Sequence, residues 1–242
     1  MICSRPERET GNMKLIGLIG GVSPESTEIY YRLLNGHARN RLGGEHSANI
    51  MLYALDYGVM IKHYTQQDWD AFKNEVLVGA RRLKAAGVDA LMIGSNTTHI
   101  AADSVRKDTG LPLIHLQDAL VQSLQSHHVT KPLLLGTPVV MSGDHYIPAL
   151  RQRYDGEIIV PNKEEQSTIG RIILDELVNG EVKASSREEM LDITNNHKDC
   201  DGVILGCTEL CMILSQQHTA LPVFDTTSLH AAAASAFAFG ET

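Results

Sequence analysis

The sequence lacks the features expected of a membrane-spanning, secreted or nucleic-acid-binding protein. No apolar run reaches the about 18 residues needed to cross a bilayer. The opening residues, MICSRPERETGNM, carry charges of both signs and contain no apolar segment like that of a secretory signal. Acidic residues outnumber basic ones by 29 to 21, giving a net charge of −8, which argues against nucleic acid or an anionic membrane as a partner.

Cysteine is scarce, and its four positions lie on two remote segments: Cys3, Cys200, Cys207 and Cys211. This distribution does not resemble a disulfide framework, so we expect reduced thiols and a cytoplasmic protein. The later three contain no C-x-x-C pair, and no histidine lies beside them at ligand spacing. We therefore expect no metal site.

The sequence does contain apolar runs of strand length that alternate with helical patterns. Strand-like runs cover 14–21, 47–56, 88–95, 111–116 and 131–137, and helical patterns cover 26–42, 71–87 and 166–180. Continuous apolar strands between helices are typical of a parallel sheet covered on both faces. The fold class predicted is therefore α/β.

The second half of the chain repeats the order of the first. The offset is 118 residues from Leu15 to Leu133, 112 from Ser95 to Cys207, and 110 from Leu111 to Leu221. Similar strand patterns recur by chance in any α/β chain. A nearly constant offset between them nevertheless favours two similar domains related by a pseudo-twofold axis. The predicted division is an extension (1–13), a first domain (14–117 with 224–242) and a second domain (118–223).

Four of the predicted strands end in glycine followed by small polar residues. In open α/β sheets, ligands bind beyond the carboxyl ends of the strands. Taken singly, each segment is more simply explained as a helix cap. Taken together, facing one interdomain cleft, their N–H groups and hydroxyls could hold an anionic substrate. The segments are 20–26, 94–99, 136–140 and 206–210.

Cys207 lies where the last of these segments would start a helix. A thiol at such a position can have its pKa lowered toward neutrality, which favours a thiolate base or nucleophile. Cys211, four residues later, is more simply explained as a small packing residue. His99 follows Ser95 by four residues, and packing is a slightly better explanation for it than proton relay.

Together GLIGGVSPESTEIYYRLLN, SNTTH and VILGCTEL resemble the aspartate/glutamate racemase family. The resemblance extends from Lys14 to about Phe239, and GCTE after an apolar strand is its most specific part. HSA at 46–48 and LPVFDT near the end agree with the bacterial branch specific for aspartate and glutamate.

The resemblance implies a racemase that needs no cofactor, acts on aspartate or possibly glutamate, and forms a homodimer. In that family two cysteines, one per domain, flank the substrate α-carbon. Cys207 matches the second, whereas Ser95 holds the place of the first. Since a serine alkoxide is much less accessible than a thiolate at neutral pH, we expect Cys207 to abstract the proton and Ser95 to act as the weaker opposite partner. The resemblance implies that the L-enantiomer is the better substrate.

The chain departs from some archaeal aspartate racemases, which carry an arginine after the second strand and a lysine after a P-x-x-x-x-Q segment. Neither cation is at its matching position here. Substrate binding would then fall on hydroxyls, amides and backbone N–H groups. Glu209 could orient the thiol or the substrate amine, or could simply be favoured by a helix dipole. The predicted binding residues are Ser23, Asn96, Thr97, Thr98, Thr137, Thr208 and Glu209.

Two other functions stay open on the sequence alone. Relatives with one cysteine include decarboxylases and isomerases, for which a single thiol suffices. A binding protein that kept the cleft but lost turnover is a further alternative, because Ser95 replaces a catalytic thiol.

Overall fold

The computed structural model describes residues 13–142 and 145–241, and these form two parallel β-sheets flanked by helices. The predicted α/β class is confirmed. Most of the predicted extension at 1–13, including Cys3, lies outside the described residues. The strands are β1 (Ile16–Gly20), β2 (Ile50–Ala54), β3 (Ala90–Ile93), β4 (Leu113–Ile114), β5 (Pro132–Gly136), β6 (Gly202–Gly206) and β7 (Val223–Asp225).

Ten α-helices connect and cover the strands of the described residues. They are α1 (Pro24–Leu42), α2 (Tyr57–Thr65), α3 (Trp69–Ala85), α4 (Ala102–Thr109), α5 (Leu116–Ser126), α6 (Pro138–Met141), α7 (Tyr146–Arg151), α8 (Lys163–Arg171), α9 (Ala184–Asn196) and α10 (Thr226–Phe239). Short 3₁₀ turns follow at Thr97–Ala101, Leu177–Asn179 and Thr208–Met212, and a π-helical turn at Ile172–Glu176 continues α8. No helix in the described part of the chain is long and apolar enough to cross a membrane.

The two sheets have the same strand order, as expected for a duplicated architecture. The first has the order β2-β1-β3-β4, with Ile16 paired to both Ile50 and Ala90. The second has the order β5-β6-β7, and a parallel bridge from Leu133 to Ile159 occupies the edge that corresponds to β2. The strands β1 and β5 therefore hold equivalent places, as do β3 and β6.

The strands β1, β3, β5 and β6 are buried on both faces, which explains why they are apolar throughout. In the first sheet, α3 covers one face, while α1 and α10 cover the other. In the second sheet, α8 and α9 pack on one face, and α5 and α7 pack on the other. The helices packed on both faces of each sheet hold the ends of the strands in fixed positions.

The last helix, α10, returns to the first sheet. Ala231, Ala234 and Ala238 pack with Ile16 and Tyr30, and the backbone N–H of Lys14 donates to the carbonyl of Ala238 at 2.9 Å. The predicted boundary between residues 223 and 224 falls inside β7, which belongs to the second sheet. The chain thus crosses back through the turn between β7 and α10.

Three histidines form a buried cluster at the join between the two sheets. The ring of His99 lies 4.8 Å from that of His115 and 5.6 Å from that of His230, centroid to centroid. Burial lowers the pKa of each to about 3. All three are therefore neutral at neutral pH, and the protein interior around them excludes their charged form.

The hydrogen bonds of His99 define its role. Its Nε2 accepts the backbone N–H of Leu116 at 3.2 Å, so Nδ1 carries the proton and donates to the Ser95 carbonyl at 2.7 Å. The bond reaches the backbone of Ser95 and not its hydroxyl. His99 therefore anchors the turn after β3, which favours the packing role over proton relay.

The histidine cluster predicts an acid-sensitive fold. The unfolded chain binds protons at these histidines near pH 6.5, and the folded protein does so only near pH 3. Stability is therefore fully present above pH 6.5 and is lost as the pH falls toward 3, by about 1.4 kcal/mol per pH unit for each histidine. Denaturant unfolding between about pH 7 and pH 5 should show His115→Gln losing less stability than the wild type. His46→Gln, in an exposed loop, controls for loss of an imidazole, and equal losses in wild type and His115→Gln would contradict the prediction.

Candidate active site

Four polar residues that follow parallel strands line one cleft between the two sheets. Ser23 and Ser95 come after β1 and β3 of the first sheet, and Thr137 and Cys207 after β5 and β6 of the second. The cleft encloses about 560 Å³ of empty space, part of it open to solvent. The structure therefore brings the predicted strand ends together at the carboxyl edges of both sheets, where ligands of such folds bind.

A tight turn places Ser23 at the start of α1. Gly21 has a φ of +89°, and a Cβ there would lie 2.2 Å from the carbonyl oxygen of Leu55, so only glycine is accommodated. Ser23 caps α1 by accepting the N–H of Ser26 at 3.4 Å. Its hydroxyl donates across the cleft to Glu209 at 2.8 Å. The residue that caps α1 beside the first sheet is thus hydrogen-bonded to Glu209, which follows the second sheet.

Glu209 accepts three hydrogen bonds at the floor of the cleft. Its Oε1 accepts the Ser23 hydroxyl, and its Oε2 accepts the Thr208 hydroxyl at 2.7 Å and the Cys207 thiol at 3.0 Å. The residue is 3% exposed and lines the cleft. This contact fits the explanation in which Glu209 orients the thiol, and because Glu209 lies in a 3₁₀ turn of only five residues, a helix dipole explains its position less well.

Cys207 does not have the lowered pKa that its sequence position suggests. It precedes only a five-residue 3₁₀ turn, whose dipole is small, and its side chain makes no capping bond. Burial, and then the Glu209 carboxylate that accepts its hydrogen bond, raise the pKa of Cys207 well above the ordinary value. The thiol form is therefore favoured here, and the lowered pKa expected from the sequence position is not found.

Ser95 lies at the equivalent position of the first sheet. Its side chain is almost fully buried, and its Oγ accepts the N–H of Thr98 at 3.4 Å. The hydrogen bond from His99 to the carbonyl of Ser95 fixes the backbone of Ser95 at the end of β3. Ser95 and Cys207 thus enter the same cleft from corresponding strand ends of the two sheets.

Asn96 connects the two strand ends behind the cleft. Its Nδ2 donates to Thr226 at 2.9 Å, and the Thr226 hydroxyl donates to the carbonyl of Leu205, two residues before Cys207. Its Oδ1 accepts the hydroxyl of Tyr146 at 2.9 Å. Although Asn96 lines the cleft, these contacts give its amide a positioning role.

The remaining predicted binding residues divide into two groups. Thr97 and Thr137 line the cleft, and their hydroxyls lie 3.1 Å apart, joining the two halves of the molecule. Thr208 lines it as well, whereas Thr98 is buried and is not among the residues that line it. Cys211 also lies outside the lining and donates to the carbonyl of Thr208 at 3.2 Å, in keeping with a packing role.

Sequence reasoning missed the aromatic wall of the cleft. Tyr57 and Tyr64 of α2 both line it. Burial raises the pKa of each, and the charge of Glu209 raises that of Tyr57 further. No local sequence signal marks these tyrosines, because they reach the cleft only through the packing of α2 on α3 in the first half of the molecule. Across 13–142 and 145–241, no cluster of three or more potential ligands suited to a metal ion occurs.

The chain is similar to known racemases along nearly its whole length. The family model described as Asp/Glu/Hydantoin racemase matches residues 19–234. A putative Asp/Glu racemase from Yersinia pestis is 36% identical, with a TM-score of 0.85 over 93% of this chain and 99% of that chain. An aspartate racemase homologue from Pyrococcus horikoshii is 30% identical, with a TM-score of 0.82 over 93% and 99%.

A broad specificity amino-acid racemase from Bacillus subtilis is 19% identical over 218 residues, which cover 88% of this chain and 93% of that protein. The family match covers far more than half of the chain, and two solved structures share at least 30% identity over almost all of it. The resemblance found in the sequence motifs is confirmed: this amino-acid racemase belongs to the Asp/Glu/Hydantoin racemase family.

Proposed function

We propose that the enzyme inverts an amino acid without a cofactor, with Cys207 and Ser95 moving the α-proton on opposite faces. One observation supports this most directly. Cys207 and Ser95 line the same cleft from equivalent strand ends, β6 and β3, of two sheets with the same strand order. Inversion at carbon needs an acid and a base on opposite sides, and a pseudo-twofold site supplies such a pair.

Glu209 provides the route by which Cys207 becomes a base. Its Oε2 lies 3.0 Å from the thiol sulfur, so it can accept the thiol proton. The thiolate then takes the α-proton, which leaves a carbanion and restores the thiol. Because burial opposes an isolated charge here, the substrate ammonium would help to stabilise the charged pair.

Ser95 completes the inversion by donating its hydroxyl proton to the other face of the carbanion. The alkoxide that results takes a proton from solvent, and Glu209 gives one up, so the enzyme returns to its starting state. The reverse reaction would require Ser95 to abstract a proton, for which a hydroxyl is a much poorer base than a thiolate. The enzyme is therefore expected to be asymmetric: it should exchange the α-proton of the L-enantiomer faster than that of the D-enantiomer, although kcat/KM for inversion must be equal in the two directions.

The substrate α-carboxylate would bind the hydroxyls of Thr97 and Thr137, which line the cleft beside Ser95. The substrate ammonium would face the Glu209 carboxylate. The acidic side chain implied by the family, that of aspartate or glutamate, stays a prediction, as do the homodimer and the cytoplasmic location.

Proton exchange in deuterated water tests the reaction. The wild type should replace the α-proton of at least one L-amino acid with deuterium, as measured by NMR over both enantiomers of aspartate, glutamate, leucine and methionine. Cys207→Ala should reduce exchange by about 10³-fold or more, because the abstracting base is lost. Cys211→Ala removes a neighbouring thiol outside the cleft lining and should keep most of the activity.

Absence of α-proton exchange would favour a function other than racemisation. Carbon dioxide release from a malonate-type acid without α-proton exchange would favour a decarboxylase. Binding of amino acids without any exchange would favour a protein that has lost turnover.

Replacing Ser95 with cysteine should make the site more symmetric. A thiol is a better abstracting base than a hydroxyl, so Ser95→Cys should raise exchange of the D-enantiomer by about tenfold or more. Ser95→Ala, the matched control, should reduce inversion in both directions. Exchange rates and chiral chromatography of each enantiomer measure both effects, and an unchanged enantiomer preference in Ser95→Cys would contradict the two-face assignment.

Glu209→Gln separates two effects of the carboxylate: its acceptance of the thiol proton and its raising of the pKa of Cys207. The amide keeps an acceptor oxygen but cannot take the thiol proton, so kcat should fall by about 10²-fold. The pKa of Cys207 should fall as well, because the carboxylate charge that helps to raise it is gone. Alkylation rates against pH report the thiol, and Glu28→Gln on the exposed face of α1 is the control. Full activity in Glu209→Gln would rule out its role as proton acceptor.

A further inference from the structure

A second cavity shares Asn96 and Thr97 with the catalytic cleft and otherwise has its own lining. It encloses about 1090 Å³ of empty space, part of it open to solvent. Asn96 accepts the hydroxyl of Tyr146, which lines the second cavity and not the cleft. Thr97 lies 3.1 Å from the hydroxyl of Thr137, which lines the cleft and not the second cavity. The two cavities are therefore neighbours with distinct walls.

Gln117 contributes an unused hydrogen-bond acceptor to the lining of the second cavity. The residue is 2% exposed and lies in the first turn of α5. Its Nε2 donates to the carbonyl of Tyr146 at 3.0 Å, which fixes the orientation of the amide, because a carbonyl only accepts. The other amide atom, Oε1, is buried and has no partner among the described residues. A buried acceptor without a donor is unfavourable, so a ligand that donates to Oε1 would remove this cost.

His115 contributes an unused donor two residues before Gln117. Its Nδ1 accepts the backbone N–H of Gln117 at 3.2 Å, and burial lowers its pKa to about 3, so the neutral ring carries its proton on Nε2. Within the described part of the chain, no acceptor lies within hydrogen-bond distance of that N–H. His115 also caps α5, a helix of 11 residues, so the positive end of the helix dipole lies at this wall of the cavity.

Arg153 contributes positive charge to the same cavity. Its Nε donates to Asp118 at 2.9 Å and its Nη1 to the carbonyl of Ala149 at 2.8 Å, while Nη2 has no partner among the residues that the structure describes. The positive field reaches His115, because after burial the charges of Arg153 and Arg106 lower its pKa further. This field favours a bound carboxylate and disfavours a bound ammonium group.

The other polar side chains of the lining do not oppose an anion. Asp103 carries the one carboxylate among the described residues that line this cavity. Its side chain is 97% exposed and lies 3.9 Å from Arg106, so solvent screens its charge. Both ring nitrogens of His99 are already hydrogen-bonded. The side chains left are exposed and neutral or weakly basic: His145 and Gln152.

We propose that the second cavity binds a small 2-hydroxycarboxylic acid, whose carboxylate accepts from His115 and Arg153 and whose hydroxyl donates to Oε1 of Gln117. A 2-hydroxy acid suits the cavity better than an amino acid, because its donor carries no positive charge into the field of the arginines. The proposal does not rest on the racemase chemistry, since none of these three side chains lines the catalytic cleft.

Three small molecules of similar size test the proposal in the wild-type enzyme. Lactate carries both groups, propionate lacks the hydroxyl, and lactamide lacks the negative charge. At least one enantiomer of lactate should bind about tenfold or more tightly than propionate or lactamide, as measured by NMR titration, and should shift the side-chain amide signals of Gln117. Equal binding of lactate and either analogue, or binding of none of the three, would overturn the proposal.

Two variants that fill one cavity each show where lactate binds. Lactate resembles an amino acid with a hydroxyl in place of the amine, so the catalytic cleft is the competing location. Ala149→Leu places a larger side chain in the second cavity and should weaken lactate binding by about tenfold or more. Leu174→Phe enlarges a side chain of the cleft lining and should leave lactate binding unchanged. Any other pattern in folded variants would overturn the proposal.

Removal of the arginine charge provides an independent test. Arg153→Gln should weaken lactate binding by about tenfold or more, because the carboxylate loses its cationic partner. Arg151→Gln is the matched control, since Arg151 is an exposed arginine two residues away that does not line the cavity, and it should bind lactate as the wild type does. Circular dichroism checks that both variants fold, and unchanged lactate binding in folded Arg153→Gln would count against the site.

Discussion

The Glu209 carboxylate is the contact on which the geometry of the cleft depends. It binds Ser23, at the start of α1, together with Thr208 and Cys207, after β6, so one side chain joins the two sheets at the point of reaction. The same contact holds the thiol proton in place and raises the pKa of Cys207. One side chain therefore both joins the two sheets and favours the thiol form of Cys207.

The opposite wall is built from neutral groups. Asn96 links Ser95's turn to Thr226 and Tyr146, and the buried histidines behind it carry no charge at neutral pH. These hydrogen bonds join neutral, buried groups, so they fix the backbone without adding a net charge to the cleft. Among the described residues that line the cleft, the one carboxylate is that of Glu209.

Much of the fold was predictable because it depends on local pattern. The apolar runs place β1, β3, β5 and β6 within a few residues, and the duplicated spacing predicts that Ser95 and Cys207 correspond. The orientation of Glu209 was not predictable, since a glutamate early in a helix faces solvent as readily as it faces a cleft. The raised pKa of Cys207 follows from that orientation. The place of Tyr57 in the cleft wall arises from packing between remote segments, which leaves no local signature.

The return of α10 to the first sheet affects the order in which the molecule can be assembled. One face of β1 and β3 is covered by alanines of α10, which lie more than 200 residues after β1 and about 140 residues after β3. During synthesis this face stays uncovered until α10 leaves the ribosome, which happens after every strand of both sheets has been made. The first half of the chain is therefore synthesised first but is completed only when α10 is available to pack on it.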